Sequence, residues 1–107
     1  MKAWEIWSCQ PAGWDEPHPA VIVSHPLRVA NKPEVDVVIC SSHRAQRAPK
    51  PHEVVLDESD RLDWPTLCKC DLLHTFAQTD LKQRRGAVGA ERRRQIIATI
   101  NRAHDWV

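Results

Sequence analysis

The chain has 107 residues, of which 42% are apolar and 27% charged, so it is long enough for one domain with its own core and too apolar for a disordered tail. The formal net charge of +1 excludes strong long-range attraction to nucleic acid, and any such binding has to come from local patches. No leader-like segment and no run of membrane-spanning length occurs, which predicts a cytoplasmic protein with no membrane association and its four cysteines, Cys9, Cys40, Cys68 and Cys70, reduced.

In chain order, residues 3–8 mix large apolar and polar side chains and stop at Pro11-Ala12-Gly13, which predicts a first strand followed by a loop to Pro19. Val21-Ile22-Val23 is β-branched throughout and lies between two prolines. This predicts a strand over residues 20–24 buried on both faces. Residues 35–40 repeat the pattern after Asn31-Lys32-Pro33, and these two strands form the expected core pair. Residues 41–50 carry His43, Arg44, Arg47 and Lys50 with no acid, and read as an exposed basic loop. Short strands are expected over residues 53–56, 67–76 and 85–88. From Ala90 the period changes: Ile96, Ile97, Ile100 and Ala103 make an apolar stripe at helical spacing, with Glu91 at the positive end of the helix dipole. The expected fold is mainly β, with five or six short strands in a small barrel and a C-terminal α-helix across it.

Several residue types invite a functional reading and a structural one. Cys68-Lys69-Cys70 has one residue between its cysteines where structural zinc usually wants two or more, so the thiols read as small apolar residues and no metal is expected. The five tryptophans could stack on bases. Trp4 and Trp7 fit core packing better, while Trp14, in the loop after the first strand, is a candidate ligand contact. The triplet Arg92-Arg93-Arg94 reads as a solvated helix face. One constellation is positional: His18 precedes the second strand, Ser41 and Ser42 follow the third, and pairing of those strands brings these ends together beside the basic loop. A histidine, a hydroxyl and nearby cations can cleave RNA without metal, moving protons and stabilising charge at phosphorus.

Taken in order, the segments Trp4-Glu5-Ile6-Trp7, His18-Pro19-Ala20-Val21-Ile22-Val23-Ser24, Val38-Ile39-Cys40-Ser41-Ser42, Pro51-His52-Glu53-Val54-Val55-Leu56, Asp71-Leu72-Leu73 and Arg84-Arg85-Gly86-Ala87-Val88 resemble the MazF and PemK toxins of bacterial toxin–antitoxin pairs. The resemblance covers nearly the whole chain and rests on order and spacing. It implies one toxin domain over residues 1–107, an SH3-like barrel of the MazF/PemK/CcdB type, and a homodimer. It further implies cleavage of single-stranded RNA without metal or other cofactor, and an antitoxin whose acidic segment occupies the RNA groove. In the family an arginine and a Thr/Ser hydroxyl stand at the reacting centre, where a ribose 2′-hydroxyl attacks the adjacent phosphorus. His18 occupies that arginine position here and Ser41 the hydroxyl position, which makes these two the expected catalytic residues. Ser42, His43, Arg44, Arg47 and Trp14 are the expected substrate contacts. The loop before Pro19 is shorter than the family's usual one. A rival reading is a barrel that binds nucleic acid or a protein without cleaving, and a third is inhibition of a protein such as gyrase, which a related toxin family achieves with the same barrel.

Overall fold

A computed structural model describes residues 1–42 and 48–104. Six strands, β1 (Glu5–Cys9), β2 (His18–Ile22), β3 (Glu34–Ser42), β4 (Glu53–Leu56), β5 (Thr66–Ala77) and β6 (Leu81–Ala87), form one sheet in the order β4-β5-β3-β2-β1-β6. Every neighbouring pair is antiparallel. A short helix α1 (Pro26–Asn31) follows β2, and α2 (Ala90–His104) ends the described chain. The expected mainly-β fold with a C-terminal helix is what forms.

The β-branched runs explain why the middle of this sheet is buried on both sides. Successive side chains alternate across a strand. Val21 and Val38 accordingly join Ile6, Leu56 and Ile96 in one apolar cluster, while Ala20, Ile22, Val35 and Val37 join Cys9, Val29 and Leu81 in a second on the other face. Ile96, fully buried, brings α2 onto the first cluster, and Val29 brings α1 onto the second. Cys40, Cys68 and Cys70 lie in the first cluster as small apolar residues. The Cys70 Sγ sits 3.9 Å from that of Cys68, and hydrogen bonding of the Cys68 thiol with Cys40 and Cys70, together with burial, pushes it well above its ordinary pKa.

The edge strands β4 and β6 do not pair with each other, so the barrel is closed by packing instead of a ladder. Between Val38 and Cys40 the partner residues on β5 jump from Leu73 to Cys68, a bulge that bends the long strand and curls the sheet. The turn after β4 then meets β6. At Gly86 a Cβ would collide with the Asp60 carbonyl oxygen, so a side chain there would push the two segments apart. That turn is held rigidly. The Asp57 side chain accepts from the Ser59 N–H, the Asp60 side chain accepts from the Asp57 N–H, and Arg92 of α2 pairs with Asp57 at 3.1 Å and Asp60 at 3.2 Å.

The main departures from the sequence expectation are in two strands and one helix. β2 runs from His18 to Ile22 and not over residues 20–24, because after Ile22 the chain turns away and the Ser24 hydroxyl accepts from the Asp36 N–H at 2.7 Å. β6 starts at Leu81, four residues before the expected strand. Helix α1 is not foreseen by apolar spacing, since Val29 is its one buried residue. Its start is local: Pro26 supplies a helix-compatible φ, and the His25 Nδ1 accepts from the Leu27 N–H at 3.1 Å.

Candidate functional site

β2 and β3 bring the two expected catalytic residues together through their register. Ala20 faces Ile39 and Val21 faces Val38, and continuing outward by two residues places His18 across from Ser41. Pro19 has no N–H with which to extend the β2–β3 ladder beyond Ala20, so the strand ends stay open there. His18 and Ser41, both half-buried, line a groove of about 340 Å³ with Glu16, Pro17, Pro19, Trp64 and Arg85.

Arg85 is the residue that sequence reasoning misses. β6 pairs with β1 through Gly86 opposite Ile6 and Arg84 opposite Trp7, which leaves Arg85 as the extra residue of a β-bulge. A bulge commonly re-aims a side chain at a functional site. The two adjacent arginines therefore have different fates. Arg84 Nε donates to Glu5 Oε2 at 2.6 Å. Burial pushes the Glu5 carboxyl up, but the bonds from Arg84, the Lys2 N–H and Trp7 outweigh it and hold that group below its ordinary value. Arg85 instead points into the groove, with Nη1 donating to Ser8 Oγ at 3.2 Å and the guanidinium carbon 5.4 Å from the Trp64 ring centroid. Among the described residues no carboxylate pairs with Arg85. The available signal in the sequence is the run Arg84-Arg85-Gly86, but a doubled arginine does not say which member is neutralised.

The other expected contacts divide. Trp14 meets the His18 ring edge-on, with centroids 5.4 Å apart and planes at 84°, and meets Phe76 the same way at 5.9 Å and 87°. His74 stacks on Phe76 in turn. Gln10 donates from its side chain to the Trp14 carbonyl at 3.1 Å. Trp14 thus pins the β1–β2 loop to the sheet and touches His18 without lining the groove. Ser42 ends β3 opposite Thr66. His43, Arg44 and Arg47, expected as phosphate contacts, lie outside the described residues. The arginine triplet is less solvent-facing than expected at its first member, since Arg92 is half-buried and ion-paired.

Chemically, the groove offers an imidazole, a hydroxyl, a carboxylate and a permanent cation within one small volume. A guanidinium stays charged at every working pH and forks onto phosphate oxygens, whereas an imidazole takes up and releases a proton near neutrality.

This six-stranded sheet closed by a C-terminal helix is the fold of the MazF toxins. The Mycobacterium tuberculosis toxin MazF-mt6 superposes with a TM-score of 0.81 at 21% identity, covering 96% of this chain and 98% of that one. An endoribonuclease in complex with its cognate antitoxin, from a mycobacterial species, gives 0.83 at 20% identity over 100% of this chain and 97% of that one. The MazE–MazF complex of Deinococcus radiodurans gives 0.78 at 11% identity, covering 100% and 97%. No curated protein sequence matches the chain significantly. Residues 2–104 match the family described as PemK-like, MazF-like toxin of type II toxin-antitoxin system, and the chain belongs to that family.

Proposed function

We propose that this toxin cleaves single-stranded RNA at the groove between His18, Ser41 and Arg85. The observation that supports it best is the convergence of those three side chains on one opening, from three different strands. His18 accepts the proton of the ribose 2′-hydroxyl as its oxygen attacks the adjacent phosphorus. The bond from phosphorus to the 5′-oxygen breaks, leaving a 2′,3′-cyclic phosphate on one fragment and, after protonation, a 5′-hydroxyl on the other. Arg85 lies where it can stabilise charge building on the non-bridging oxygens, and the Ser41 hydroxyl donates to one of them. No step calls for a metal. Arg44 and Arg47 are further phosphate contacts in this reading, and Trp14 holds the His18 ring in place from its edge.

The protein works as a homodimer in the cytoplasm, and its partner is an antitoxin whose acidic segment lies along the groove and pairs with Arg85. Incubation of the purified protein with a long single-stranded RNA in excess chelator tests the enzymatic reading. Cleavage is expected for the wild type, with loss in His18→Ala, Ser41→Ala and Arg85→Ala. An intact RNA across the pH range around neutrality would sink the enzyme and leave a domain that binds without cutting.

A further inference from the structure

Trp64 is half exposed, at 50%, although large apolar rings usually leave water. It is also the aromatic ring that lines the groove beside His18 and Ser41. Its exposure does not come from a loose tether. The segment leading to it is fixed by the Asp57–Asp60 reciprocal bonds, by Arg92, by the buried Leu62 and by the close approach to Gly86. Arg85 covers part of the ring with its guanidinium, within the range of a cation–π contact. A rigid, half-bare indole next to a guanidinium that no described carboxylate neutralises has the two parts that hold a single-stranded nucleotide: a flat surface for the base and a fixed charge for its phosphate.

We infer that Trp64 is a base-stacking subsite, on which the nucleotide next to the cleaved phosphate lays its base while Arg85 holds that phosphate. The inference rests on the RNA-cleaving reading and adds where the strand lies: it crosses from the β2–β3 opening towards the β4–β5 loop. Every base has a π face, so this subsite fixes position along the strand and tolerates different bases.

The test measures affinity of the intact protein for a short RNA carrying a 2′-deoxy nucleotide at the cleavage position, which removes the attacking hydroxyl and keeps the strand whole. Trp64→Ala should bind roughly tenfold to hundredfold more weakly, and Trp64→Phe should recover most of the loss. Abasic nucleotides are then placed one at a time along the RNA. In the wild type one abasic position beside the deoxy nucleotide should weaken binding, and in Trp64→Ala that same position should cost nothing further. A cleaving wild type with Trp64→Ala unchanged in affinity would overturn the subsite and leave the ribonuclease standing. Equal additional loss at every abasic position in both proteins would also overturn it, since Trp64 would then act only by placing Arg85. Absence of binding by the wild type would remove the subsite and the RNA reading together.

Discussion

Two corners of this molecule each present an arginine to a rigid turn, and their surroundings make them opposites. At the corner between α2 and the turn after β4, Arg92 meets two carboxylates, one of them on the almost fully buried Asp60. At the groove, Arg85 meets a hydroxyl and a ring face, and no described carboxylate pairs with it. A neutralised guanidinium stabilises the fold and has little left to offer a ligand. One left without an acid on an open groove gains more from an arriving anion than from its present partners. Charge count alone does not distinguish them, because both belong to arginine-rich runs.

The contrast is sharpest in the activity of Arg85→Ala. Loss of a charge-stabilising donor at a phosphorus centre should lower RNA cleavage by about a hundredfold or more, with the thermal midpoint nearly unchanged. A variant that unfolds instead would make Arg85 a second Arg92. His18→Ala should lose at least about a hundredfold, and His18→Gln, which keeps a polar side chain but cannot take up the proton, should lose as much. Cleavage retained in His18→Gln would take the proton-transfer role from His18.

Arg92→Ala should show the reverse pattern. Removing it leaves Asp60 buried without its ion-pair partner, and with some discount for the partly exposed pair this costs about 2 kcal/mol. In a chain of this length that lowers the midpoint by roughly 10 °C, while cleavage below the transition stays near wild type. Retained stability would mean that the corner is not a clamp. Acid titration gives a smaller effect of known sign. The Ser59 hydroxyl and N–H, and then Arg92, hold the Asp57 carboxyl below its ordinary value despite slight burial. A group depressed in the folded state stabilises the protein above its unfolded pKa, and that contribution disappears as pH falls through the folded value. The midpoint should therefore decline as pH drops below about 4, and Asp57→Asn should flatten that decline. The smallest expected signal is at the thiols: all four cysteines are buried and burial pushes Cys9 up to about 11, so a thiol-alkylating reagent at neutral pH should leave the native protein unmodified. Rapid labelling would show that the sheet opens locally.

Legibility in the sequence followed the physics of each element. The core pair was readable because β-branched runs between prolines have few ways to be buried, and α2 because its isoleucines recur at helical spacing. His18 and Ser41 were readable as neighbours because strand ends that pair must meet. Helix α1 was not, since six residues with one buried side chain carry no periodic signal and its start depends on a proline and a histidine cap. Trp64 carries no such signal, because an isolated tryptophan in a loop looks the same in sequence whether it packs inward or stands in a groove. Arg85 is illegible for a related reason: which of two adjacent arginines faces the groove is set by a bulge, and a bulge is a mismatch between two strands far apart in the chain.

The amino-acid sequence by itself determined the family, the mostly β architecture and the meeting of β2 with β3, because these depend on local pattern and on the order of segments. Only the tertiary structure decided which charge stands beside the histidine, since the β1–β6 register and the rigid turn after β4 bring Arg85 and Trp64 to the groove of His18, which lies more than forty positions from either in the chain. Side-chain direction across a sheet changes with one residue of register, and register is settled by the packing of the whole barrel.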